Sequence, residues 1–111
     1  MSEEPINPNR AVDYIRDNAG RFAAARADRI YIEEFRKSKK ALLMAESAAS
    51  SAVAREQYAY SHPEYLALLD GLRHAVQIEE TVRWEMIAAQ ARIEIWRSQE
   101  ASNRNQDRVM R

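Results

Sequence analysis

SHPEYLALLDGLRHAVQIEETVRWEMIAAQARIEIW, residues 61–96, decides the fold. It opens on the sharpest punctuation in the chain. Ser61 followed three residues later by Glu64 has the form of a capping box, with Pro63 in the first turn, where its missing N–H does no harm. After it, Tyr65, Leu68, Leu72, Ala75, Glu79, Val82, Met86, Ala89, Ile93 and Trp96 recur at alternating spacings of three and four. Such a run over several heptads marks one side of a long helix that packs on another helix. Ser61–Glu64 then reads as a tight turn, followed by a helix from about residue 62 to about residue 101.

The stretch upstream supplies the partner. From Arg21 to Tyr60 the chain is rich in Ala, Glu, Lys, Arg and Leu, and nothing in it breaks a helix. A stripe of Tyr31, Phe35, Ser38, Leu42, Ala45, Ala49, Ala52, Glu56 and Ala59 has coiled-coil spacing, large at its start and small at its end. Ser47, Ser50 and Ser51 read as small residues that let a neighbouring helix approach. A short turn between two long helices makes an antiparallel hairpin. The pairing places Ala59 by Tyr65, Ala52 by Leu72, Ala45 by Glu79, Leu42 by Val82, Phe35 by Ala89 and Tyr31 by Ile93, so that small meets large at most levels.

Nearer the start, Asn7-Pro8 has the form of a helix cap and first helical residue, with Ile6 and Ala11 placed as a hydrophobic staple. Gly20 either ends a short helix over about 8–19 or sits inside one continuous helix at a cost of about 1 kcal/mol. The expected fold is all-α: a long antiparallel helical hairpin with a short N-terminal helix. Residues 1–6 form a disordered lead. A single helical domain covers 7–101, with helices over about 8–19, 21–60 and 62–101, and 102–111 is a polar tail that frays.

Composition supports that class and narrows the job. A chain of 111 residues builds one thin core. Two glycines and three prolines supply little turn material for a β fold, and the absence of cysteine excludes disulfides, thiolate metal sites and a cysteine nucleophile. The acidic start lacks the basic and apolar regions of a signal peptide, and no apolar run approaches the roughly 20 residues of a membrane span. The chain therefore reads as cytoplasmic. Its 17 basic and 17 acidic residues cancel, but unevenly: residues 41–80 hold two basic against six acidic groups, and the flanking segments are net basic. Folded as a hairpin, that is a basic open end and an acidic turn end.

The last helix carries a second apolar side. At about 100° per residue, Trp84, Ile87, Ala91 and Ile95 fall opposite Val82, Met86, Ala89 and Ile93. The hairpin consumes only one side. The other needs either the N-terminal helix, through Val12, Ile15, Ala19 and Phe22, or a second subunit. The expectation is a homodimer, a four-helix-type bundle with Trp84, Ile87, Ala91 and Ile95 at its interface.

No catalytic constellation emerges. His62 and His74 do not follow a Glu at metal-ligand spacing, Asp70 and His74 read as a surface contact, and the glycines form no phosphate loop. Glu79, the polar member of the strong seam, reads as a register residue paired with a lysine or arginine, ahead of a general base. Arg29, Arg36 and Lys40 lack the spacing of a chorismate-mutase-type bundle. Arg36, Lys37, Lys39 and Lys40, with Arg21, Arg26, Arg29, Arg104, Arg108 and Arg111 at the same end, form the best nucleic-acid contact, weighed against a solvated face balanced by Glu33 and Glu34.

Ala11–Ile15, Lys39–Met44, Tyr58–Tyr65, Arg83-Trp84 and Ala88–Arg97 resemble small helical proteins of tailed bacteriophages and prophages encoded near recombination or replication genes. None of these segments is a catalytic motif. The resemblance implies a phage early-region protein in the host cytoplasm, without enzymatic activity and with a recombination or replication protein as partner. The expected function is a non-enzymatic helical accessory protein that binds a macromolecule, with no cofactor, metal, small-molecule substrate or membrane. The alternative is nucleic-acid binding by the basic open end, and behind it a bundle enzyme centred on Glu79.

Overall fold

The structure, a computed structural model, describes residues 4–110. They form three helices, α1 (Pro8–Glu46), α2 (Ala52–Ser61) and α3 (Pro63–Met110), and no strand occurs among the described residues. Residues 1–3 of the expected lead, and Arg111 of the expected basic end, lie outside the described residues. The fold is all-α, a helical hairpin in which α1 and α3 run antiparallel. Two compact units are distinguishable, Met1–Phe22 with Thr81–Arg111, and Ala23–Glu80.

Asn7 starts α1. Its Oδ1 accepts hydrogen bonds from the backbone N–H of Asn9 at 3.0 Å and Arg10 at 3.4 Å, and Pro8 follows as the first helical residue. The helix does not end near Gly20. Asn18 donates its side-chain amide to the Tyr14 carbonyl, and no glycine has a positive φ, so Gly20 is an ordinary helix-interior residue. The separate helices expected over 8–19 and 21–60 are thus one helix in their first part and broken in their last.

The break falls at the serines. The Ser47 hydroxyl accepts from Ala49 N–H at 3.2 Å, Ser51 Oγ accepts from Ala54 N–H at 3.1 Å, and Arg55 Nε donates to the Ala49 carbonyl at 2.8 Å. Short hydroxyl side chains compete with helical hydrogen bonds. Here Ser47 follows the end of α1 and Ser51 caps α2, rather than easing helix packing.

The next turn also differs in detail from a capping box. Ser61 Oγ donates back to the Gln57 carbonyl at 2.6 Å, and Lys39 Nζ lies 2.8 Å from the Glu64 carboxylate. His62 takes the cap instead: its Nδ1 accepts from Glu64 N–H, and its carbonyl accepts from Tyr65 and Leu66. Beyond Pro63, α3 continues through the expected polar tail to Met110.

All ten seam positions of α3, from Tyr65 to Trp96, are buried or half-buried. The matching row on α1 is not the expected one. Ala11, Ile15, Asn18, Phe22, Ala25, Arg29, Ile32, Arg36, Lys39 and Leu43 alternate four and three, and each is buried or half-buried, whereas Tyr31, Phe35 and Leu42 are exposed. Four members of the true row are polar or charged, so hydrophobicity alone favours a stripe one residue away, a rotation of about 100°.

In the unit Ala23–Glu80, Leu43, Ala59 and Tyr65 form a core with Met44 and Leu69 against it. Arg29 reaches Glu79 and Lys39 reaches Glu64. Glu79 therefore faces a residue about four helical turns before its expected neighbour, Ala45, because residues 47–61 turn away as a loop and α2 instead of prolonging α1. In the other unit, Ala11, Val82 and Ala89 are buried, and the Tyr14 hydroxyl donates to the Glu85 carboxylate. The start of α1 lies on the hairpin seam, so it does not cover the second side of α3.

Candidate functional site

Glu79 is 6% exposed, a cost that an unpaired carboxylate would make prohibitive. Arg29 meets it with a fork, Nε to Oε2 and Nη2 to Oε1 at 3.1 Å, while Nη1 reaches Glu33 at 2.9 Å. The hydrogen bond to Glu79 is the main cause that raises the Arg29 pKa beyond its ordinary value. Both Glu79 oxygens accept from Arg29, which leaves the carboxylate poorly placed to take a substrate proton. The arrangement fixes how α1 and α3 meet in this unit.

The basic residues of α1 divide. Lys39 is spent on Glu64. Lys40 lies 3.2 Å from Glu56 and 4.7 Å from the centre of the Tyr60 ring, and its pKa is raised by hydrogen bonds to Tyr60 and Glu56. Lys37 pairs with Glu34 at 3.3 Å. Arg36, Lys37 and Lys40 line a recess of about 470 Å³ with Tyr60 and Tyr65. This cluster therefore stands beside α2 and the α2–α3 turn, not at the open end of a hairpin. The break after Glu46 brings it there, and only Tyr60 and Tyr65, flanking the turn, hinted at it in the sequence.

The expected interface residues of α3 have no cover within the chain. Trp84 is 59% and Ile95 49% exposed, Ala91 is exposed and Ile87 half-buried. Arg83 lies over the Trp84 ring at 5.6 Å. A second apolar row, at positions where the sequence pattern places the seam, runs exposed along α1. Tyr31 is 68% and Leu42 56% exposed, with Phe35 between them, and the Tyr31 and Phe35 rings are parallel within 6° at 6.0 Å. Beside Tyr31 a groove of about 340 Å³ opens between Asp28 and Ile32 of α1 and Gly71, His74 and Ile78 of α3. Asp70 is engaged by Arg73 at 2.5 Å rather than by His74, and no group of three metal-ligating residues occurs among the described residues.

No helix among the described residues is long and apolar enough to cross a membrane. No family model matches the chain, and comparison with curated proteins and with solved structures finds no match to it.

Proposed function

We propose that this protein is a non-enzymatic helical interaction protein of the cytoplasm that acts by presenting apolar helix faces to other helices. One observation carries the reading. The seam between α1 and α3 is filled within the chain, yet large apolar side chains recur in the open at helical spacing on both arms. Exposed apolar rows of this kind are what a partner helix covers. The occupant of the α3 row, Trp84, Ile87, Ala91 and Ile95, is a second copy of the chain. The occupant of the α1 row, Tyr31, Phe35 and Leu42, is an amphipathic helix of a different protein. The phage resemblance adds the class of that protein, a recombination or replication factor.

Sedimentation at micromolar concentration tests the homodimer. The wild-type chain is expected to sediment as a dimer, and Trp84→Glu with Ile95→Glu as a helical monomer. A wild-type chain that stays monomeric at that concentration sinks this part. A pull-down from the native host tests the other face: a partner retained by the Trp84/Ile95 variant and lost with Tyr31→Ser and Leu42→Ser is the expected result.

A further inference from the structure

Arg36 stands apart among the cations of the unit Ala23–Glu80. It occupies a position in the buried row of α1 and is half-buried, yet no described carboxylate lies within ion-pair distance of it. Its neighbours Lys37, Lys39 and Lys40 each have such a partner. A partly desolvated guanidinium without a counter-charge is unfavourable, and a leucine would fill a seam position better. The recess that Arg36 opens into is lined only by two more cations and two tyrosines, Lys37, Lys40, Tyr60 and Tyr65, with no carboxylate in the lining.

The recess is also held in shape. Tyr65 is 6% exposed and meets the Tyr60 ring edge-on at 5.4 Å between centres. Lys40 is fixed between Glu56 and the face of Tyr60. These supports position the surrounding groups and leave the Arg36 fork unoccupied.

We propose that this recess binds a phosphate ester. A guanidinium offers two parallel N–H donors that match two phosphate oxygens, which an ammonium cannot do. Lys37 and Lys40 line the same recess, each beside its own carboxylate, Glu34 or Glu56, and the tyrosine hydroxyls are hydrogen-bond donors. At about 470 Å³ the recess has room for more than the phosphate itself. The same chemistry is offered by a free mononucleotide and by one link of a single-stranded DNA. This site is separate from the apolar rows, so the interaction role proposed above stands or falls without it.

Titration of the full chain at low salt, followed by backbone-amide NMR, tests the site with three probes: inorganic phosphate, thymidine monophosphate and a short oligothymidylate. Saturable binding of at least one probe is expected, with shifts centred on residues 36–40 and 58–65. Tighter binding of the mononucleotide assigns a free nucleotide, and tighter binding of the oligomer assigns a strand. Arg36→Gln is expected to weaken binding about tenfold or more, and Tyr60→Phe, which keeps the ring against Tyr65 and removes only the hydroxyl, to weaken it by less. Arg73→Gln, an exposed cation engaged by Asp70, leaves it unchanged. The proposal is overturned if no probe saturates, if folded Arg36→Gln binds as well as wild type, or if Arg73→Gln weakens binding equally.

Discussion

Arg29 and Glu79 show how a single residue sets the geometry around it. A carboxylate at a fully packed seam position is tolerable only when both oxygens are met, and here both accept from one guanidinium. Removing one partner leaves the other charge stranded, so Arg29→Met is expected to lower the melting temperature more than the double variant Arg29→Met, Glu79→Met does. A double variant that melts below the single one contradicts this ordering. The glycines give the opposite kind of prediction. A Cβ added to Gly20 or Gly71 meets nothing within 4 Å, and neither residue has a positive φ. Gly20→Ala and Gly71→Ala should each stabilise by about 1 kcal/mol in urea unfolding. Tyr14 supplies a pH signature. Its hydrogen bond to Glu85 holds the phenol above its ordinary 10.0. The protonated phenol thus favours the folded chain, a contribution complete below the ordinary value and lost as pH rises through the folded one. Ultraviolet titration should show a late phenolate component that Glu85→Gln moves to lower pH.

At the scale of elements, the legible and the illegible differ by which side chains fill the seam. The α3 row is apolar except at Glu79, and every position read from the sequence is covered in the structure. The α1 row carries Asn18, Arg29, Arg36 and Lys39, and its true register was masked by the more apolar Tyr31, Phe35 and Leu42 one position away. Glu79 held the missing information: an acid in the α3 seam requires a cation opposite, and Arg29 lies on the same four-three grid as Ile15, Phe22, Ile32 and Leu43. The break at 47–51 was concealed in another way. Ala and Ser permit a helix, and only the local hydrogen bonds of Ser47, Ser51 and Arg55 tip the balance. Because Ser51 caps α2 through Ala54 N–H, Ser51→Ala should cost about 1 kcal/mol of stability. Ser51→Asp, which keeps an acceptor at the cap, should restore most of it. The basic recess depends on that same break, since α2 brings Tyr60 to Lys40, and so it was not legible from the spacing of Arg36, Lys37 and Lys40 alone.

For the whole molecule, the decisive quantity is how much apolar surface a single copy leaves in water. Fully buried large side chains are limited to Leu43 and Val82 among the described residues, while Trp84, Ile95, Tyr31 and Leu42 are each about half exposed or more. Burial contributes roughly 25 cal/mol per Å² of apolar surface removed from water. A chain this short therefore has more to gain from covering its outer faces than from refining its core. If a second copy covers Trp84, Ile87, Ala91 and Ile95, folding and association are linked, and stability must depend on protein concentration. A hundredfold rise in concentration changes the linked free energy by about 2.7 kcal/mol, which for a dimer of this size corresponds to a rise of about 5–10 °C in melting temperature. Circular dichroism melts over that range should show the shift for the wild-type chain. For Trp84→Glu with Ile95→Glu the melting temperature should be independent of concentration, because the charges abolish association while leaving the α1–α3 seam untouched. An equal shift in both proteins would mean that the chains associate through another surface, with the row of Tyr31, Phe35 and Leu42 the first to substitute.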